Sequence, residues 1–177
     1  PSSKTCRHCS NINSELKLSQ REWLCTNCNN LIDRDLNASI NILNEGKIKI
    51  LFLCTGNSCR SQMAEGWGRF FHGDMFDFYS AGIQKHGMNA RAVSVMKEVG
   101  VDISTQYSKT LEELGAIQFD FVFTVCGDAH EHCPYFPGKT KVIHVGFEDP
   151  PRLSASLTNE EEILVHYRRV RDEIRDF

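Results

Sequence analysis

No run of apolar residues in this 177-residue chain approaches the ~20 that a membrane-spanning helix needs. Its first residues form no secretory apolar region. A membrane protein and a disulfide-stapled secreted scaffold are therefore not expected, and a reducing cytoplasm is the expected compartment. Internal repeats and low-complexity tracts are absent, which argues against solenoids and disordered tails. Charge is not strongly biased to one sign: 20 Lys+Arg against 23 Asp+Glu gives −3, which disfavours a general polyanion binder. What remains is ordinary globular composition, 41% apolar and 24% charged, in a length that fits one full domain with a small one attached.

Cysteine is abundant, with eight residues in two groups: Cys6, Cys9, Cys25 and Cys28, then Cys54, Cys59, Cys126 and Cys133. In a reducing compartment such clusters point to metal binding or catalysis rather than to a disulfide framework. Composition changes between them, at Asn44-Glu45-Gly46-Lys47. The polar, Asn- and Ser-rich stretch before it gives way to the apolar run Ile48-Lys49-Ile50-Leu51-Phe52-Leu53. Two domains are expected, residues 1–46 and 47–177. Residues 1–47 carry six Lys/Arg and five Asp/Glu, net +1, and the remainder carries −4.

In the first domain, Cys6-x-x-Cys9 and Cys25-x-x-Cys28 are separated by fifteen residues. That is zinc-ribbon spacing: two turns supply four thiolates to a tetrahedral ion. The metal replaces the core that a segment this small cannot build. Leu16, Leu18, Trp23 and Leu24 are expected to pack around it, and Asp33 and Asp35 to begin a helix carrying Leu36, Ile40 and Leu43. No organic cofactor is expected.

The second domain alternates strand and helix signals. Strands are expected at about 48–53, 75–79, 119–125 and 141–145. One helix begins near Ser61, and a second is capped by Asn89 and ended by Gly100. Capping boxes at Thr110/Glu113 and Thr158/Glu161 start two more. The last helix aligns Ile163, Leu164, Tyr167, Val170, Ile174 and Phe177 on one stripe. The expected fold class is α/β, a parallel four-stranded sheet with helices on both faces, its site beyond the carboxyl ends of the strands.

The chemistry concentrates in Cys54-Thr55-Gly56-Asn57-Ser58-Cys59-Arg60-Ser61. A strand, a tight loop and a helix start can turn successive backbone N–H groups onto a tetrahedral oxyanion, with the helix dipole behind them. Gly56 permits the tight path, and Arg60 offers a planar fork for two oxygens. The same field favours Cys54 as a thiolate nucleophile, to which Ser61 can donate. Cys59 has no evident chemical role and is expected to pack. This loop alone would suit a phosphatase. Cys126 and Cys133, with six residues between them, permit a thiol relay instead. Cys54 attacks the central atom, Cys126 attacks Cys54 and expels a reduced product, and Cys133 moves the disulfide outward to a reductant. Arsenate can accept two electrons in this way; phosphate cannot. His130, His132 and His144 offer no evident ligand set.

From about residue 48 onward the chain resembles the thioredoxin-coupled arsenate reductases, which share the low-molecular-weight tyrosine phosphatase fold. The resemblance is carried by Phe52 through Gly66, Tyr79-Ser80-Ala81-Gly82, Ala92-Val93, Met96 through Gly100, Val125-Cys126-Gly127-Asp128-Ala129, Cys133-Pro134, Gly146 through Pro150 and Val170 through Ile174. It implies reduction of arsenate to arsenite by Cys54 as nucleophile, Cys126 as second thiol and Cys133 as resolving thiol. Thioredoxin is implied as reductant ahead of glutaredoxin, and Asp149 as general acid. A low-molecular-weight tyrosine phosphatase is the alternative. Some family members bind potassium through positions matching Asn57, Glu65 and Ser80. Here Lys109 stands where they have an acidic ligand, and its ammonium can replace the ion, which argues against a potassium site. Residues 1–44 resemble the C-terminal zinc ribbon of OrfB-type transposases and TnpB nucleases. Asp35 matches one nuclease carboxylate, but its partner carboxylates are missing, so no nuclease activity is expected. A net charge of +1 leaves room for weak nucleic-acid binding at most. A monomer without membrane attachment is expected.

Overall fold

The computed structural model describes residues 2–17, 19–125, 136 and 139–177, without the side chains of 44 and 45. Leu18, Cys126, His130, His132 and Cys133 lie outside these residues. The chain divides into two compact units, Pro1–Lys47 and Ile48–Phe177.

The small unit is built on two matching turns. Cys6 N–H donates to Asn11 O at 2.8 Å and Ser10 N–H to Cys6 O at 2.9 Å; Cys25 with Asn30, and Asn29 with Cys25, repeat the pattern at 2.9 Å each. Ser10 and Asn29, each just after the second cysteine of its pair, turn through positive φ, 60° and 55°. A short antiparallel ribbon, β1 (Glu22–Leu24) with β2 (Leu31–Asp33), follows the same chain reversal. Its inward positions, Trp23 and Ile32, are buried with Leu16 against Cys6 and Cys25. Leu24 is exposed, because alternate strand residues face opposite sides. The expectation that it packs in the core is therefore corrected, and Ile32 takes that place.

Helix α1 (Arg34–Glu45) begins after Asp33, which accepts from Leu36 N–H at 2.8 Å. Its anchoring face is polar. Asn37, fully buried, donates to Thr5 O at 2.7 Å and accepts from Arg7 N–H at 3.0 Å; Asn41 donates to Ser2 O and Thr5 O. Leu36 and Leu43 are exposed. The expected apolar stripe is thus not what ties the helix to the ribbon. Asparagine amides do so, by satisfying carbonyls that a short irregular segment cannot pair internally.

In the larger unit, β3 (Ile48–Cys54), β4 (Phe76–Gly82), β5 (Phe121–Thr124) and β6 (Lys141–His144) form a parallel sheet in the order β4-β3-β5-β6. The α/β class expected from the alternating pattern is the fold observed. Alternation along β3 divides the core. Phe52 and Cys54 face the cluster formed with α2 (Arg60–His72), α3 (Ala90–Glu98) and the last helix. Leu51 and Leu53 face Ala81, Phe119 and Val122, with Leu111, Leu114 and Ile117 packed beside them around a 3₁₀ turn at Glu112–Leu114. After the one-turn helix α4 (Pro150–Leu153), α5 (Glu160–Asp176) buries Ile163, Tyr167, Val170 and Ile174. Asn89 caps α3 as expected. The cap of α5 is Asn159, not Thr158: its side chain accepts from Glu161 and Glu162 N–H. The Thr110/Glu113 pair closes, Glu113 accepting from Thr110 N–H at 2.8 Å, but it starts only the 3₁₀ turn. Because β3 sends its connections to opposite sides, β4 on one and β5 on the other, the loop leaving β3 lies at the reversal of strand order, where such sheets bind ligands.

Candidate active site

The loop between β3 and α2 is held from outside by two neighbouring segments, residues 83–89 and 108–109. Ile83, Gln84, His86 and Asn89 donate their N–H groups to the carbonyls of Cys54, Thr55, Gly56 and Ser58 at 2.9–3.1 Å, and Ser108 Oγ donates to Gly56 O at 3.1 Å. In a trans peptide, C=O and the following N–H point in opposite directions. With those carbonyls turned outward, the N–H groups of Thr55, Gly56, Asn57 and Cys59 turn inward. The first amides of α2, at Arg60 and Ser61, have no carbonyl within the helix to pair with and add their dipole. The result is a built anion cradle.

Cys54, a residue 4% exposed, places its Sγ at the base. It receives the Asn57 N–H at 3.1 Å and lies 3.0 Å from Ser61 Oγ, a hydroxyl that can donate once the sulfur is a thiolate. Asn57 holds φ +46°, a left-handed conformation that asparagine tolerates better than most residues. Its side chain fixes it there: Nδ2 donates to Ser61 Oγ and Ser80 Oγ, both at 2.9 Å, while Oδ1 accepts from Gln62 Nε2 at 2.9 Å and Lys109 N–H at 2.8 Å. Arg60 reaches across the mouth. It donates to Phe147 O and pairs with Asp149 Oδ1, each at 2.9 Å, tethering the segment before Pro150 to the cradle. Cys54, Thr55, Gly56, Ser58, Cys59, Arg60 and Asp149 all line one cavity of about 460 Å³. Asn57 and Ser61 support it from beneath, fully buried. Cys59, also buried, belongs to the apolar cluster of the larger unit, and desolvation pushes its thiol up.

Two parts of this site were not assigned a role from the sequence. His86 lines the cavity above Gly56, where an added Cβ would lie 2.3 Å from its Nδ1. Gly82 lets β4 approach the loop: a Cβ there would meet Gln84 O at 2.3 Å and Asn57 N at 2.8 Å. The Ser-Ala-Gly ending of β4 carried a signal for the second; nothing local marked the first. Cys126 and Cys133 fall outside the described residues. Val125, which precedes Cys126 in the chain, donates its N–H to Leu53 O at 2.9 Å.

In the small unit the sulfurs of Cys6, Cys9, Cys25 and Cys28 all lie within 4.8 Å of one another. The Cys6–Cys28 and Cys9–Cys25 separations are 3.7 and 3.5 Å. A tetrahedral zinc with bonds of ~2.3 Å places its sulfurs ~3.8 Å apart, so the donor set fits the ion. Cys25 is lowered to about 6, chiefly by the Cys28 backbone N–H, and Cys28 is lowered, chiefly by the Asn30 side chain. Asp35, the position matching a nuclease carboxylate, is exposed and paired with Arg34 at 2.9 Å. Among the described residues no helix is long and apolar enough to cross a membrane.

Residues 49–176 match the low molecular weight phosphotyrosine protein phosphatase family, and residues 1–42 match the Cas12f1-like TNB domain. An arsenate reductase of Halalkalibacterium halodurans is 54% identical over 125 residues, 71% of this chain and 88% of that protein. One of Bacillus subtilis is 52% identical over 130 residues, 73% of this chain and 91% of that protein. Among solved structures, an arsenate reductase in its oxidized state superposes with a TM-score of 0.60 at 29% identity, covering 72% of this chain and 91% of that one. With the loop after β3 and the sheet order in agreement, the chain belongs to the low molecular weight phosphotyrosine protein phosphatase family.

Proposed function

We propose that this chain reduces arsenate to arsenite by a relay of three cysteines. The observation that carries the proposal is the cradle: Arg60 at the mouth and Cys54 Sγ at the base, with the Asn57 N–H donating to it and the Ser61 hydroxyl 3.0 Å away. The arsenate reductases that it resembles over nearly their whole length support the same reading.

Arsenate enters with its oxygens on the amides of residues 55–61 and on the Arg60 fork. The Cys54 thiolate forms a bond to arsenic, and one oxygen leaves as water. Asp149, at the cavity wall and paired with Arg60, is assigned to protonate that oxygen as Arg60 turns to the anion. The Cys126 thiolate then attacks Cys54 Sγ. The electron pair of the sulfur–arsenic bond returns to arsenic, which leaves as As(III), and a Cys54–Cys126 disulfide remains. Cys133 attacks Cys126 and frees Cys54. Overall, arsenate and two thiols give arsenite, a disulfide and water. Thioredoxin is assigned to reopen the disulfide.

Residues 1–46 are assigned as a ribbon in which Cys6, Cys9, Cys25 and Cys28 hold a structural zinc, which fixes the fold and takes no part in the reduction. Weak nucleic-acid binding is all that its charge supports. The expected site of action is the cytoplasm. The test is arsenate-dependent NADPH oxidation with thioredoxin and thioredoxin reductase. Turnover is expected to need arsenate and to vanish in Cys54→Ser, Cys126→Ser and Cys133→Ser. The loop also fits phosphate, so a phosphatase is the second reading. Phosphatase activity that survives loss of both Cys126 and Cys133, without arsenate turnover, would establish it.

A further inference from the structure

Beneath the cradle lies a charge that the reaction itself does not use. Glu65 is 1% exposed and Lys109 8% at their side chains, and Lys109 Nζ stands 3.5 Å from Glu65 Oε2. The ammonium also donates to Tyr107 O at 3.3 Å and lies over the Tyr107 ring at 4.8 Å. The other Glu65 oxygen pairs with Arg69 at 2.6 Å, and Arg69 is half exposed. Burial of ions this deep is costly unless they are matched, so the pairing calls for an account. The hydrogen bonds form a closed ring. Lys109 N–H donates to Asn57 Oδ1; Asn57 Nδ2 donates to Ser80 Oγ; Ser80 Oγ donates to Glu65 Oε2; and that oxygen faces Lys109 Nζ. Asn57 is the residue whose N–H points at Cys54 Sγ.

We propose that Lys109 is a positioning residue: its ammonium is a tethered monovalent cation that locks Glu65 and Ser80 under Asn57 and thereby holds the loop amides on the Cys54 thiolate. Because the cation is covalently fixed, the native chain needs no dissolved one. Removing the ammonium leaves the inner Glu65 oxygen facing an empty place of the size of a small ion. The ring then slackens, and the Asn57 N–H drifts from the sulfur.

Two variants and two readouts test this. The readouts are the rate of Cys54 alkylation by iodoacetamide, followed by peptide mass mapping, and kcat/KM for arsenate; only the second rests on the proposed reduction. Lys109→Met keeps the aliphatic stem without the charge, and Lys109→Ala opens the space. In tetramethylammonium chloride, whose cation is too large to enter, both variants are expected to lose about tenfold in both readouts. Potassium or ammonium chloride is expected to restore Lys109→Ala several-fold and Lys109→Met hardly at all, while the native chain responds equally to all three salts. Native rates in Lys109→Met, or a Lys109→Ala defect that no small cation relieves, would overturn the inference. Alkylation that follows the expected pattern in a chain without arsenate turnover would leave the inference standing and reject the function.

Discussion

At the scale of single residues the site depends on two glycines for different reasons. At Gly56 the obstacle to a side chain is the His86 ring, which can rotate away. At Gly82 it is backbone, Gln84 O and Asn57 N, which can move only if the loop moves. Gly82→Ala is expected to cost ~1–3 kcal/mol of stability and at least tenfold in Cys54 alkylation. Gly56→Ala should leave the fold near native and disturb only the cavity rim. Urea denaturation and alkylation kinetics on the two variants check this. Much of the residue-level site was legible beforehand, because a strand–loop–helix phosphate cradle is local and its residues are consecutive. His86 was not legible. It comes to the loop through the return of β4, thirty positions along the chain, and its neighbours carry no periodicity or motif. Lys109 was legible as a departure from the family pattern, but its ring with Asn57, Ser80 and Glu65 joins four separate segments.

At the scale of elements, the strands and long helices follow the periodicity of apolar residues, while their ends follow hydrogen bonds that the pattern does not encode. The start of α5 is the example. The Thr158/Glu161 spacing suggests a capping box, and the adjacent Asn159 is the cap instead, its side chain accepting from Glu161 and Glu162 N–H. Asn159→Ala and Asn89→Ala are each expected to cost ~1 kcal/mol, the second somewhat more because Asn89 also donates to Tyr167 Oη at 3.1 Å. Thr158→Ala should be near neutral, as thermal denaturation would register. Charges tie these helices together. Glu98 is held below its ordinary 4.5 chiefly by hydrogen bonds from Arg168, and Glu160 likewise by Arg91. A carboxyl lowered on folding stabilises fully above its unfolded value and loses that contribution as pH falls through the lower folded value. The urea midpoint should therefore decline below about pH 4.5. Arg91→Met should remove part of that decline, and only a small part, because solvent screens so exposed a pair.

At the scale of the whole molecule, two units of different construction share one chain. The larger has apolar clusters on two faces of a sheet; the smaller has a few buried side chains around four thiols. Removal of bound metal is therefore expected to act on one and spare the other. A strong chelator should release about one zinc per chain and expose Trp23, seen as a fluorescence change, with Cys54 alkylation unaltered. The change of composition suggests a division at residues 46–47, and the compact units divide one residue later, between Lys47 and Ile48. The polar anchoring of α1 was not readable, because Asn37 and Asn41 act by filling carbonyls of residues that precede them by more than thirty positions. The central claim is the reduction itself, and a single turnover tests it most directly. Fully reduced protein, mixed with one equivalent of arsenate and no external reductant, should yield about one equivalent of arsenite and lose two titratable thiols, with a disulfide mapped to Cys126–Cys133. Unchanged arsenate and a full thiol count, in protein that hydrolyses an aryl phosphate catalytically, would contradict the account.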